Sequence, residues 1–213
     1  MHLHVENLAC VRGGRRIFEG VSFSLRPGEA LVVLGRNGAG KSSLLDILAG
    51  RLAPAGGTVT LSGADERTLP ECLHHVGHRD ALKAALTAEE NLAFARAFLG
   101  DPDLDPRQAL GALGLAHAAG LPVAYLSAGQ RRRVALARLL VARRPFWLLD
   151  EPTAALDAAS QEVLLRLIEE HRAGGGMVVA TTHQPLALAG AKAIRIERAG
   201  PRTEGTLPED AFR

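Results

Sequence analysis

Gly35-Arg36-Asn37-Gly38-Ala39-Gly40-Lys41-Ser42 decides the reading of this chain. The stretch satisfies the spacing G-x-x-x-x-G-K-[ST] at every fixed position. Before it lies the apolar run Ala30-Leu31-Val32-Val33-Leu34, which reads as a buried strand. After it, residues 42–49 have helical spacing, and Gly50 is placed to stop the helix. Glycine at 35, 38 and 40 lets the backbone curl, so that successive N–H groups point inward as a nest for anionic oxygens. The helix behind adds the positive end of its dipole. In this pattern Lys41 reaches the β- and γ-phosphates and the Ser42 hydroxyl takes one Mg²⁺ position. Arg36, Asn37, Ala39 and Ser43 complete the cradle. A glycine-rich turn before a helix with no ligand is the plainer alternative, and the strand and helix on the two flanks weigh against it. The ligand implied is a nucleotide.

The rest of the composition narrows the class. The chain has 213 residues, the length of one sizeable domain or of one domain with a subdomain. Hydrophobic residues make up 47% and aromatics 4%, so Leu, Val and Ala must fill the core. A net charge of +2 is too balanced to argue for a nucleic-acid partner, where a basic face is expected. Cys10 and Cys72 stand far apart, which points to a reducing compartment and no disulfide framework. Residues 1–6 lack the basic-then-apolar pattern of a leader, and no apolar run approaches the roughly 18 residues of a membrane helix. These features predict a soluble, cytosolic chain that meets a membrane only through a partner.

Outward from the glycine loop, residues 1–34 read as strands and turns, with clean alternation over residues 2–6 and 21–25. Residues 54–57 read as a turn and residues 58–61 as another strand. Residues 79–143 are rich in Ala and Leu, with breaks at Gly100-Asp101-Pro102 and Gly120-Leu121-Pro122, and predict several helices forming a subdomain. Strand character returns over residues 146–150, 177–182 and 193–197, with a helix over 158–172 between the first two. Apolar strands alternating with a helix predict a parallel sheet covered on both faces. Residues 199–213 read as a loose tail or a last edge element.

Two further stretches bear on chemistry. Asp150 and Glu151 end an apolar strand, which puts both carboxylates at the ligand edge of a parallel sheet. There Asp150 is suited to hold Mg²⁺ through water and Glu151 to polarise an attacking water; a strand-end acid capping a turn is the alternative. In Leu126-Ser127-Ala128-Gly129-Gln130, Ser127 and Gln130 make an S-x-x-Q capping box that starts a helix running to residue 143. The free N–H groups of its first turn can receive a phosphate, although by spacing alone an ordinary capped surface helix is the stronger reading.

The set of motifs resembles the ATP-binding subunit of an ABC transporter. Leu126 to Gln130 is similar to that family's signature, with Ala128 in place of its first glycine. Leu149-Asp150-Glu151-Pro152-Thr153 resembles its Walker B strand, Ala155-Leu156-Asp157 its D-loop, and His183 after Thr181-Thr182 its switch histidine. Order and spacing hold from about residue 3 to residue 198. The resemblance implies an α/β P-loop NTPase of the ABC ATPase type, with a mixed sheet core, an antiparallel β subdomain and an inserted helical subdomain. The division is residues 1–78 and 144–198 for the core, 79–143 for the helical part and 199–213 for the tail, in a single ATP-binding domain. It implies ATP and Mg²⁺ as ligands and a second copy as partner. In such a pair the phosphate loop of one copy faces Ser127, Ala128, Gly129 and Gln130 of the other, Asp157 crosses the interface, and His183 links the γ-phosphate to Glu151.

Two positions depart from the family pattern. His78 stands where a glutamine is usual; its ring nitrogen can still accept from a metal-bound water, and its protonation becomes a variable. Arg12 stands where an aromatic usually stacks on adenine. A guanidinium plane can stack on a base, and packing by Phe18 or an apolar residue is the equal alternative. Gly77-His78, Leu86-Thr87-Ala88-Glu89-Glu90-Asn91-Leu92 and the run from Leu126 to Leu139 look most like the ATP-binding subunits of cytochrome c biogenesis, a haem export system. That resemblance implies membrane permease subunits of the same system as partners, docked on residues 79–99, and a peripheral place at the cytoplasmic face of the cell inner membrane. An exporter of a drug or lipid, or a non-transport ATPase acting on nucleic acid, are the other readings. Cys72, His74, His75 and His78 cluster, but their spacing matches no closed zinc pattern and reads as a strand edge leading into a loop. The chain is expected not to bind haem. Arg131-Arg132-Arg133 reads first as the exposed start of a helix, and second as a contact to partner or nucleotide.

Overall fold

The computed structural model describes residues 1–64, 66–183 and 186–197. In chain order the elements are β1 (His2–Arg12), β2 (Arg15–Leu25), β3 (Ala30–Leu34), α1 (Lys41–Leu48), β4 (Gly56–Ser62), β5 (Leu73–Val76), α2 (Ala88–Leu99), α3 (Pro106–Ala112), α4 (Ala128–Ala137), β6 (Phe146–Asp150), α5 (Ala158–Ala173), β7 (Met177–Thr182) and β8 (Lys192–Arg195). The segment 199–213, read from sequence as a tail, lies outside the described residues.

The mixed strand directions expected are divided between two sheets. β2, β1 and β4 pair antiparallel in that order, and β5, β6, β7, β3 and β8 pair parallel in that order. The β1–β2 hairpin turns on Gly13 and Gly14, at φ 55° and 73°. A two-residue turn of this hand needs positive φ at both positions. Both strands run further than the short alternating stretches suggest, because register shifts between Val5 and Leu8 and between Leu8 and Cys10 break the period of two. β5 is an added edge strand, paired with β6 from Leu73 to Val76.

Alternation along the parallel strands sorts the core into two layers. Val32, Trp147, Leu149, Val178 and Ala180 face a layer with Leu92, Leu110, Val134, Leu136, Leu164 and Ile168, from α2, α3, α4 and α5. Leu31, Val33, Phe146, Leu148 and Val179 face the other way, onto Leu3, Val5, Leu8, Phe18 and Leu25 of the antiparallel sheet and Leu44, Leu45 and Leu48 of α1. Both faces of the central strands β3, β6 and β7 are thus covered, and those three strands are almost entirely apolar for that reason. Each such buried leucine contributes roughly 1.5–3 kcal/mol relative to exposure. That anchors α1 even though no side chain caps its first turn.

Between β5 and β6 the helices are set by their caps. Thr87 and Glu90 form a capping box on α2, Asp105 and Gln108 one on α3, and Ser127 and Gln130 one on α4. Buried Asn91 ties the preceding loop to α2 by accepting from the Lys83 N–H at 2.8 Å and donating to the Lys83, Leu86 and Thr87 carbonyls. α4 is shorter than expected: it ends at Ala137 and tightens into a 3₁₀ turn over Arg138–Leu140 rather than reaching residue 143.

The register places the functional edge. Asp150 pairs with Thr181, and Leu34 with Thr182. The C-terminal ends of β6, β7 and β3 therefore meet at one edge, where the glycine loop leaves β3.

Candidate functional site

A cleft of about 500 Å³ opens at that edge. It is lined by Arg36, Asn37, Gly38, Gly40, Lys41, Ser42 and Ser43 of the glycine loop and α1, and by Arg12, His78, Asp150, Glu151 and His183. Residues far apart in sequence and expected to act together are brought together here. Ile17 and Ala154 also line the cleft and were missed. Ile17 belongs to β2 beyond the stretch that the alternation marked as strand, which hid it.

The loop is shaped by contacts that leave no room for a side chain. At Gly40, φ is +106°, and a Cβ there would lie 2.5 Å from the Ile17 methyl and 2.9 Å from the Phe18 ring. At Gly35 a Cβ would lie 2.7 Å from the Ile196 carbonyl oxygen. Neither position tolerates a larger residue without moving backbone or ring. Gly35 and Ala39 sit behind the loop rather than on the cleft wall, and Ala39 is buried. With no side chain capping α1, its first N–H groups stay open to an anion.

Lys41 is nearly buried, with its ammonium 2.8 Å from the Gly35 carbonyl oxygen and 3.3 Å from Glu151 Oε1. The other carboxylate oxygen of Glu151 meets His183 Nδ1 at 2.8 Å and accepts from the His183 backbone N–H at 3.3 Å. One carboxylate is thus held between Lys41 and His183. Glu151 has φ 46°, left-handed for a residue with a side chain, and its own N–H donates to the Thr181 carbonyl at 3.1 Å. Strained backbone of this kind concentrates at functional sites. Asp150 is 4% exposed and accepts a 2.6 Å hydrogen bond from the Thr181 hydroxyl on Oδ1.

Arg12 and His78 are exposed on the cleft wall. Phe18 is not a candidate for stacking on a base: it is 2% exposed, deep in the core. Ile17, its neighbour on the cleft, is the apolar surface beside Arg12.

Ser127, Ala128, Gly129, Gln130 and Asp157 do not line this cleft. Ser127 and Ala128 are exposed at the start of α4, and the capping box holds at 2.8 Å from the Ser127 N–H to Gln130 Oε1 and 3.2 Å from the Gln130 N–H to Ser127 Oγ. Gly129 packs on the turn before α5, where a Cβ would stand 2.9 Å from the Ala155 carbonyl oxygen. Asp157 caps α5 by accepting from the Ser160 N–H at 2.8 Å, and hydrogen bonds from the Ser160 hydroxyl and then from that N–H hold its carboxyl below the usual range. The start of α4 and the turn before α5 are therefore neighbours of each other at Gly129 and Ala155.

The arginine run needs correction. Arg132 is not at an exposed helix start but 4% exposed, with four hydrogen bonds to backbone and carboxylate oxygens. Arg131 and Arg133 donate to the Leu126 and Leu113 carbonyls. The Cys/His cluster is divided by its strand. His74 is buried and bonded through Nε2 to the Ala142 carbonyl oxygen, with burial pushing its pKa down to about 4. Cys72 is buried, and His78 faces the nucleotide cleft. Among the described residues no three His, Cys, Asp or Glu side chains are arranged to hold a metal ion.

Residues 18–154 match the family model described as ABC transporter. The chain belongs to the ABC transporter family. Two curated relatives place it more finely within that family. Both are named "Cytochrome c biogenesis ATP-binding export protein CcmA": one from Rhodopseudomonas palustris (strain BisB5) is 57% identical over 92% of this chain and 98% of the relative. The other, from Bradyrhizobium diazoefficiens, is 55% identical over 88% of this chain and 94% of the relative. The fold is shared with a putative ABC transporter ATP-binding protein from Pyrococcus furiosus, at TM-score 0.80 and 20% identity, covering 93% of this chain and all of the other. An ATP-binding subunit of an ABC transporter matches at TM-score 0.81 and 22% identity, over 92% of this chain and 86% of the other. The family makes this an ATP-binding, ATP-hydrolysing transport subunit.

Proposed function

We propose that this ABC ATPase powers haem export or handover in c-type cytochrome biogenesis. Two copies sandwich two ATP molecules, each ATP held by the phosphate loop of one copy and the start of α4 of the other, with Asp157 crossing between them. The observation that carries the reading is the Glu151 carboxylate, poised between Lys41 and His183 at the mouth of the phosphate loop. The exposure of Ser127 and Ala128 away from that loop supports the two-copy arrangement.

In this reading the loop N–H groups and Lys41 bind the β- and γ-phosphates, and Arg12 with Ile17 takes the base. Glu151 orients and polarises the attacking water, and His183 holds the Glu151 carboxylate and senses the γ-phosphate. Ser42, exposed in the cleft, and Asp150 supply the hard oxygen donors that suit Mg²⁺. His78, on the cleft wall, would accept from a water on the ion rather than hold it directly, since an imidazole nitrogen suits Mg²⁺ less well. When bound, Mg²⁺ neutralises charge developing on the phosphates. Loss of the γ-phosphate removes the group both copies share, so hydrolysis becomes separation of the two.

The partners are integral permease subunits of the cytochrome c biogenesis system, which place the complex at the cytoplasmic face of the inner membrane. No helix among the described residues is long and apolar enough to cross a membrane. The docking face is residues 79–99, where Phe94 and Phe98 are stacked, 53% and 78% exposed, with the Lys83 ammonium over Phe94. Exposed aromatics of this kind mark protein contacts. Haem is the cargo of the complex and not a ligand of this chain; stoichiometric haem absorbance in the purified subunit would overturn that. The test of the assignment is a pull-down of tagged chain from detergent-solubilised membranes. Recovery of cytochrome c biogenesis membrane subunits supports it, and recovery of an unrelated permease discards the haem assignment.

A further inference from the structure

Arg132 is a full charge taken out of water, 4% exposed, with a single oxygen of the Asp80 carboxylate as its only charged partner among the described residues. Its guanidinium donates from one Nη to the Asp150 carbonyl at 2.7 Å and the Glu151 carbonyl at 2.9 Å. From the other it donates to the Gly77 carbonyl at 2.8 Å and to Asp80 Oδ1 at 3.2 Å. The Nε is buried with no partner among the described residues. Burying a guanidinium with an unpaired donor costs stability. What the guanidinium supplies and an apolar group cannot is a link between segments.

Those segments all belong to the site. Gly77 precedes His78. Asp150 and Glu151 end β6, and Arg132 itself rides on α4, whose first turn is Ser127 to Gln130. The Glu151 turn is held from its N–H side by Thr181 of β7 and from its carbonyl side by the Ala154 N–H and by Arg132. Glu151 stands in the left-handed region, which L residues rarely adopt unless the surroundings determine it. Arg132 is the one of these supports that comes from the helical segment between β5 and β6.

We propose that Arg132 is a positioning residue for Glu151, fastening the signature helix to the carbonyls on either side of the acid and to the loop that carries His78. A shift of α4 as a second copy closes on Ser127 is then transmitted to the Glu151 carboxylate through one side chain. The inference rests on the reading of Glu151 as the group that activates water. Lysine replaces it only in part: a single ammonium cannot reach two carbonyls of one turn and the Gly77 carbonyl together.

The test is steady-state ATP hydrolysis by the full chain in complex with its co-purified membrane partner, with affinity for a fluorescent ATP analogue measured alongside. Arg132→Gln is expected to lower kcat by about tenfold or more while KM and analogue affinity stay within about twofold, the pattern of a lost transition-state interaction. Arg132→Lys is expected to recover part of the loss. Asp80→Asn, which weakens the guanidinium's charged anchor without entering the cleft, is expected to lower kcat about threefold with KM unchanged. It decides the matter if Arg132→Gln does not fold. Wild-type kcat in these variants overturns the proposal, as does a parallel fall of kcat, nucleotide affinity and Tm, which would mark a merely structural residue. Glu151→Gln is run beside them. If it is inactive while Arg132→Gln is normal, the positioning role alone fails; if it turns over normally, the reading of the site fails and the proposal with it.

Discussion

The phosphate-loop cleft and the start of α4, the two phosphate-binding regions of the proposed pair, differ in completeness. The cleft has its parts within one chain: loop amides, Lys41, Asp150, Glu151 and His183 converge on one edge of the parallel sheet. The start of α4 has an exposed serine, but Ser127 to Gln130 do not line the cleft. The cleft is positioned by strands buried on both faces. The signature is positioned by a capping box, the packing of Gly129 on Ala155 and the hydrogen bonds of one buried arginine. In the proposed pair the first is a site whose parts lie within one chain, and the second is half of a site that the other copy completes.

Substitutions should separate the two. The largest effect is expected from Glu151→Gln: turnover falls by about a hundredfold or more while ATP still binds, and a two-copy complex accumulates with ATP, seen by size exclusion. Normal turnover would remove Glu151 from the chemistry. Lys41→Ala is expected to weaken ATP binding by about a hundredfold, since a charge-assisted contact to the triphosphate is lost; unchanged affinity would break the cleft half of the comparison. Ser127→Arg sharpens the other half. ATP affinity of the isolated chain should stay within about twofold while hydrolysis falls by at least about tenfold, because the arginine blocks only the approach of a second copy.

A smaller effect belongs to the scaffold beneath both. His74 and His171 flank Trp147, His171 stacked on it at 3.9 Å, and burial lowers both pKa values from 6.5 to about 4. Above pH 6.5 both are neutral folded or unfolded. As pH falls from 6.5 towards 4, the unfolded chain takes up protons that the folded chain refuses, so stability drops over that window. Between pH 7 and pH 5 the loss is on the order of 2 kcal/mol per histidine, less than the full shift implies, since pH 5 lies above the folded pKa of about 4. Denaturant unfolding at pH 7 and pH 5 checks it, and equal stabilities would contradict it. The smallest effect is expected from Asp157→Ala, a slight fall in Tm from the lost cap on α5.

The cleft was far more legible in sequence than the signature's supports. A glycine loop needs particular residues at fixed spacing, and β3, β6 and β7 are apolar because both of their faces are covered, so motif and strand announce each other. β5 was harder to see, since His74-His75 interrupts its apolar character and only pairing with β6 makes it a strand. Ile17 was hidden by the bulged hairpin, which has no single period. Arg132 was hidden most completely. Three consecutive arginines read as a solvated helix start, and the four acceptors that bury the middle one come from residues 77, 80, 150 and 151, which only the fold brings together.

The central claim is that each ATP is completed by two copies, and mixed complexes test it most directly. One differently tagged copy carries Lys41→Ala and the other Ser127→Arg. If phosphate loop and signature meet across copies, both defects fall in the same site and the second site is intact, so the mixed complex hydrolyses ATP well above complexes that carry both substitutions in one copy beside a wild-type partner. If each chain completes its own site, each copy is disabled separately, and the mixed complex hydrolyses no more ATP than either variant alone.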